Sequence, residues 1–190
     1  MIRIGIATAL ALGLAACSSS GGPVVEQNVQ TETLQSGSGT YDLSHREDKD
    51  VIETTVLAPL DSAWRALPEV FLELDIEPGT VDQKAHVISN TSFVVRHSLG
   101  GVQLSRYVDC GSSISGPAAN QMKVTLSLIV QVVSSDSLGV SKVRSQLDGW
   151  GVAEGVSSGR VHCASTGQLE ERIARMVNDD LSHRAKKGTP

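Results

Sequence analysis

Aromatic residues and positive charge are both scarce in this chain. Its 190 residues include only 2 Trp, 2 Tyr and 2 Phe, which argues against a platform of rings for stacking bases or sugars. Lys and Arg number 16 against 21 Asp and Glu, giving a net charge of −5. Because attraction to phosphate needs a cationic surface, this balance excludes nucleic acid as the expected partner.

Long apolar runs are also missing, apart from one at the N-terminus. The run from Ile4 to Leu14 follows the cationic start Met1-Ile2-Arg3. It is too short for a membrane-spanning helix, which needs about 20 apolar residues. Its proportions are those of a secretory signal peptide. We therefore expect an exported protein.

The end of this signal resembles a bacterial lipobox. The residues are Leu14-Ala15-Ala16-Cys17, and Ser18 follows. The resemblance implies that residues 1–16 are removed and that Cys17 is acylated on its thiol and its freed amine. Two or more acyl chains give stable membrane attachment. In the sorting pattern of such lipoproteins, Ser18 implies the outer membrane, with the domain facing the periplasm. The alternative is an ordinary signal peptide with an incidental cysteine.

Composition divides the rest of the chain. From Ser18 to about Ser44, Ser, Gly, Gln and Thr dominate. Such a segment cannot bury enough apolar surface to offset the entropy of ordering, which predicts a flexible linker. We therefore expect a signal peptide at 1–16, a lipidated cysteine and linker at 17–48, one folded domain at 49–183 and a basic tail at 184–190.

The first part of the domain reads as a strand followed by a helix. Ile52, Thr54 and Val56 alternate with more polar neighbours, as in a half-buried strand. Asp61 or Ser62 is the expected N-cap of the helix. Its apolar face is formed by Trp64, Leu67, Phe71 and Leu74. Pro68 should kink this helix or divide it.

The second part reads as a strand hairpin followed by a long helix. From Met122 to Val133 every second residue is apolar, which is typical of an antiparallel strand with one face in water. A second strand is expected from Val140 to Leu147. The capping-box pattern of Ser165 to Gln168 then predicts a helix start, and an i, i+4 apolar stripe continues the helix through Leu169, Ile173, Val177 and Leu181.

This order predicts an α+β fold in which a long C-terminal helix covers an antiparallel β-sheet, with one shorter Pro-kinked helix after the first strand. Across roughly Asp50 to Leu181, the order resembles the helix-grip family and the domains of BamC-type outer-membrane assembly lipoproteins. The first resemblance implies an apolar ligand held between helix and sheet. The second implies protein binding.

Cys110 and Cys163 remain after lipidation of Cys17. An even pair in an exported chain predicts a disulfide, worth about 3–4 kcal/mol in the chain-entropy model. Two alternatives stay open. One is a zinc set with His97 and His162, and the other is a thiol nucleophile served by His97 or His86. Neither has the close ligand spacing or the catalytic motif that would favour it, so no metal site, cofactor or catalytic residue is predicted.

Trp150 is the candidate contact residue. It lies between Gly149 and Gly151, where we expect a flexible loop, and a Trp with such neighbours often marks recognition. Packing into the core is the competing interpretation. Asp148 is expected to be a turn former at a strand end.

The predicted function is that of a membrane-anchored, non-catalytic envelope lipoprotein that binds or scaffolds other envelope proteins. The alternative is a carrier of a small apolar ligand between the C-terminal helix and the sheet. A carrier would need space beside Val124, Leu126 and Leu128.

Overall fold

A computed structural model describes residues 29–36, 39–46, 51–153 and 159–187. The predicted signal peptide at 1–16 and the lipidation site Cys17 lie outside the described residues, as does the end of the predicted basic tail.

The described residues form two α-helices and a series of strands that range from short to long. The strands are β1 (Val29–Ser36), β2 (Gly39–Arg46), β3 (Ile52–Val56), β4 (Thr80–Asp82), β5 (Val87–Arg96), β6 (Ser98–Leu99), β7 (Val102–Gln103), β8 (Val108–Asp109), β9 (Ser112–Ser113), β10 (Gly116–Pro117), β11 (Met122–Ser134), β12 (Ser141–Ala153) and β13 (Val161–Ser165). The helices are α1 (Leu60–Glu73) and α2 (Gln168–Lys187).

The main sheet is antiparallel and is built around β5, β11 and β12 in that spatial order. Beyond β12, two strands share its free edge: β3 pairs with the first half of β12, and β13 pairs with the second half. Helices α1 and α2 contact each other and pack on the sheet. The prediction of an α+β fold with a long C-terminal helix over the sheet is confirmed.

The inner face of the sheet is the face under the helices. All six alternate positions of β11, from Met122 to Val132, are at most 2% exposed. Leu67 and Phe71 of α1 and Ile173 and Val177 of α2 belong to the same buried cluster. The predicted alternation along β11 is therefore confirmed, as is the apolar stripe of α2.

Helix α1 differs from its prediction at two points. Pro59 is its N-cap, and no side chain caps it, so the expected cap at Asp61 or Ser62 is wrong. The helix also continues through Pro68 as one element. Proline removes one backbone hydrogen bond, but buried residues on both sides of it, including Leu67 and Phe71, pack into the core. This packing holds the two halves in one helix.

Helix α2 begins where expected, but without the predicted capping box. Ser165 Oγ accepts a hydrogen bond from the amide of Gly167, rather than Gln168, and donates one to Glu170 Oε1. The helix also extends to Lys187, past the predicted domain end at residue 183. Arg184 binds Asp180 at 2.7 Å and Glu69 at 3.4 Å. These ion pairs anchor the start of the predicted tail to both helices.

The segment predicted as a linker contains a pair of strands, because residues 29–36 and 39–46 form β1 and β2, which pair with each other. Strand β2 meets β9 at Asp42 and Ser112, which gives a four-stranded sheet, β1-β2-β9-β10. Thr and Tyr residues in this segment have strand propensity. Antiparallel pairing also satisfies polar backbone groups without requiring many apolar side chains.

Candidate functional site

The two cysteines of the domain come together as predicted. The sulfur atoms of Cys110 and Cys163 are 2.04 Å apart, and both residues are buried, at 1% and 0% exposed. The bond links the residue after β8 to the middle of β13. Because each sulfur is bonded to the other, neither is available as a nucleophile or a zinc ligand.

Trp150 lies in the second half of β12, not in the predicted loop. The strand continues to Ala153, and period-two alternation places Trp150 on the outer face, opposite the helices. Its side chain is 43% exposed, so the alternative of packing into the core is wrong. Gly149 and Gly151 occupy inward positions, where added Cβ atoms would approach the side chains of Leu126 and Met122. The glycines are therefore sites of close packing and not signs of a loop.

A groove of about 410 Å³ runs beside Trp150 on the outer face. We call it the Trp150 groove. It combines one aromatic ring, two cations, two hydroxyls and an aliphatic side chain. Its lining residues are Ser92, Lys123, Thr125, Trp150, Val152 and Arg160.

Register explains why residues so far apart in sequence line one groove. Thr125 pairs with Val94 on β5 and with Trp150 on β12, and Trp150 pairs with His162 on β13. Their side chains therefore form one row across four strands. Val94 is 53% exposed, so the row presents apolar surface at one end.

Asp148 and His162 support Trp150 from the side. Asp148 Oδ1 lies 2.6 Å from His162 Nε2, and the rings of His162 and Trp150 meet edge-on with centroids 5.0 Å apart. The side chains of Asp148 and His162 are mostly shielded from solvent, at 16% and 12% exposed, respectively. Asp148 is thus a mid-strand residue that orients His162, and its expected role as a turn former at a strand end is wrong. The predicted strand ended at Leu147. If its period-two alternation had been continued, Asp148 and Trp150 would have been placed on the same face.

Cations are distributed unevenly over the outer face. Near the start of β12, Lys142 and Arg144 bind Glu53 of β3, at 2.6 Å and 3.6 Å. The hydrogen bond from Lys142 lowers the pKa of Glu53, and the charges of Lys142 and Arg144 lower it further. Near the other end of β12, Lys123 of the neighbouring strand β11 and Arg160, which precedes β13, both line the Trp150 groove.

A second groove, of about 340 Å³, lies beside the disulfide. It is lined by Ser105, Val108, Asp109, Gly111, Ser112, Pro117 and Ala119. Close to it, Ser113 Oγ donates to Gln121 Oε1 at 3.0 Å. This hydroxyl serves the loop's own hydrogen bonding.

Glu170 is an ionisable residue buried in the core. It is 0% exposed, and Ser165 Oγ donates a 2.6 Å hydrogen bond to it. Loss of solvation raises the pKa of Glu170, and this effect outweighs the hydrogen bond from Ser165, which acts in the opposite direction. Sequence analysis missed this residue because a Glu in the first turn of a helix ordinarily faces water.

The other histidines make separate contacts. His97 Nδ1 lies 2.7 Å from the carbonyl oxygen of Asn120, and the ring of His86 meets Trp64 edge-on. Within the described residues, no three His, Cys, Asp or Glu side chains are grouped so that they could hold a metal ion.

Comparisons with known proteins give no family for this chain. No protein-family model matches it, and a search of curated proteins finds no match. In the part of the chain that the structure describes, no helix is both long enough and apolar enough to cross a bilayer.

Proposed function

We propose that this chain is an exported, lipid-anchored envelope protein whose folded domain binds another protein without catalysing a reaction. The observation that carries the proposal is the Trp150 groove on the outer face of the sheet. Its location is proposed to be the outer membrane, with the domain facing the periplasm.

The outer face has the composition of a recognition surface. Trp150, Val94 and Val152 are 43%, 53% and 41% exposed, respectively. Tryptophan is among the residues that contribute most to protein–protein affinity. The contact with His162 limits the motion of the Trp150 ring, and a side chain ordered in advance loses less entropy on binding. These features support a docking role.

The layer between helices and sheet supports binding at the outer face over carriage of an apolar ligand. A carrier would need space beside Val124, Leu126 and Leu128, and all three are 0% exposed. Leu67, Phe71 and Ile173 of the helices are fully buried in the same apolar cluster as these strand residues. The Trp150 groove lies on the other face.

Membrane attachment is proposed to depend on the lipid at Cys17 alone. A net charge of −5 gives the chain no general attraction to anionic headgroups. Replacing Cys17 by Ser should therefore move the protein from the membrane fraction to the soluble fraction, whereas Ser18→Ala should leave it membrane-bound. If the Cys17→Ser variant stays with membranes after a salt wash, lipidation is not the anchor.

Site-specific photo-crosslinking in intact cells tests the docking role. A photoreactive residue at Val152 lies in the groove, and one at Leu72, which is 64% exposed on α1, provides a matched exposed apolar control. We expect a discrete protein adduct at position 152 and not at position 72. Adding Trp150→Ala should remove it. Adducts of equal yield at both positions, or an adduct that persists without Trp150, would contradict the proposal.

A further inference from the structure

We infer that the Trp150 groove binds an acidic, extended peptide segment of its partner. Carboxylates of the segment would contact Lys123 and Arg160, and an apolar side chain would pack on Trp150 and Val152. This inference rests on the proposed function and specifies the chemistry of the partner at the same site.

A row of cations crosses the outer face next to the Trp150 row. Lys123 pairs with Arg96 on one side and with Val152 on the other. Gly151 pairs with Val161, so Arg160 follows at the position beside Val152. The row therefore reads Arg96, Lys123, Val152 and Arg160 across neighbouring strands, with the aliphatic side chain between two cations.

Two cations of this row lie within the groove. Lys123 and Arg160 flank Val152 on the same face of the sheet, so two like charges lie about 10 Å apart. Lys123 and Arg160 are exposed, and neither takes part in the ion pairs found among the described residues. A carboxylate placed between Lys123 and Arg160 would be attracted by both charges.

At the opposite end of β12, the charge of exposed cations is balanced by an acidic residue of the domain itself. There Lys142 and Arg144 share Glu53 on the neighbouring strand. Both sites are on the outer face, and both contain exposed cations. Only the groove combines its cations with exposed Trp150 and Val152. The difference points to a ligand that is both acidic and apolar.

The dimensions of the groove suit a peptide. Lys123 and Arg160 lie two strand spacings apart, about 10 Å. Same-side residues of an extended chain are about 7 Å apart, and the long stems of Lys and Arg cover the difference. A bilayer surface is usually recognised by a cluster of about four to eight cations, more than this row contains.

Binding of defined peptides to the full chain carrying Cys17→Ser tests the inference, since no acyl group then contributes. The probe is a short peptide of alternating Glu and Leu with blocked ends, and its control has Gln in place of Glu. We expect the acidic peptide to bind about tenfold more tightly or better. Raising the salt concentration should weaken this binding.

Three variants locate the contacts. Lys123→Gln and Arg160→Gln should each weaken binding of the acidic peptide about two- to fivefold, as expected for exposed charge pairs. Trp150→Ala should weaken it about tenfold or more. Lys142→Gln is the matched control and should leave the affinity unchanged, because Lys142 lies outside the groove. Unfolding midpoints verify that every variant is folded.

Equal affinity for the acidic and neutral peptides, or no effect of Lys123→Gln and Arg160→Gln, would overturn the inference. Binding to phosphatidylglycerol vesicles or to a carboxylated oligosaccharide through these residues, without peptide binding, would also overturn it. In those cases the crosslink from position 152 decides separately whether the proposed protein-binding function stands. If that crosslink is absent as well, the proposed function fails.

Discussion

The two faces of the sheet differ in what their side chains contact. On the inner face, Leu126 and Leu128 are fully buried under the helices. On the outer face of the same strand and its neighbour, Ile129, Trp150 and Val152 are 37–43% exposed. Residues of the inner face determine stability, since each is packed on all sides. Residues of the outer face can change with little effect on stability, which leaves that face available for recognition.

The largest effect on stability is expected from the inner face. Leu126→Ala should lower the free energy of unfolding by about 2–5 kcal/mol, because it removes buried contacts and leaves a cavity. Lys123→Ala, on the outer face of the same strand, should change it by less than about 0.5 kcal/mol. Chemical denaturation measures both values. Similar losses for the two variants would mean that the faces are misassigned.

Removing the disulfide tests a constraint on the inner, buried side of the sheet edge, where β8 pairs with β13. The bond joins residues 53 positions apart. Replacing Cys110 and Cys163 by Ser should cost about 3–4 kcal/mol, because the unfolded chain regains the entropy of that loop. Below the new midpoint, binding at the Trp150 groove should persist. Mass spectrometry of non-reduced peptides tests the bond directly, and two free thiols would refute it.

Gly149 tests how closely the inner face is packed. A Cβ atom added there would lie 2.6 Å from Leu126 Cδ2 and 3.2 Å from the carbonyl oxygen of Thr125. Gly149→Ala should therefore cost about 1–3 kcal/mol through overpacking. Gln146→Ala, at an outward position of the same strand, should be nearly neutral. Thermal or chemical unfolding of both variants compares the faces, and a neutral Gly149→Ala would show that Leu126 can move aside.

Replacing Glu170 should have the smallest effect on the free energy of unfolding, and this effect should depend on pH. The pKa of Glu170 is raised in the folded protein. The free energy of unfolding should therefore fall as the pH rises from about 4.5 through this folded pKa, because the buried carboxyl must then ionise. Glu170→Gln removes this loss. The variant should match the parent in acid and be more stable than the parent at neutral pH. Denaturation at several pH values measures the difference, with the exposed Glu73→Gln as control. A constant difference across pH would contradict the buried-carboxylate explanation.

Periodicity made the fold predictable where one face is buried and the other is wet. Alternation along β11 and the i, i+4 stripe of α2 follow directly from burial of one face. The start of α1 was not predictable in the same way, since Asp61 and Ser62 are good caps and the backbone at Pro59 begins the helix without one. The hairpin of β1 and β2 was missed because its polar composition carries no burial signal.

The sequence alone determined the α+β architecture, the inner face of the sheet and the pairing of two cysteines. Each follows from local periodicity or from residue chemistry together with the expected compartment. Only the tertiary structure decided that Trp150, Lys123 and Arg160 line one groove, that His162 meets Asp148, and that Glu170 is buried. These contacts depend on strand register and on the packing of segments distant in sequence. No local pattern specifies which residue of one strand lies opposite a given residue of another.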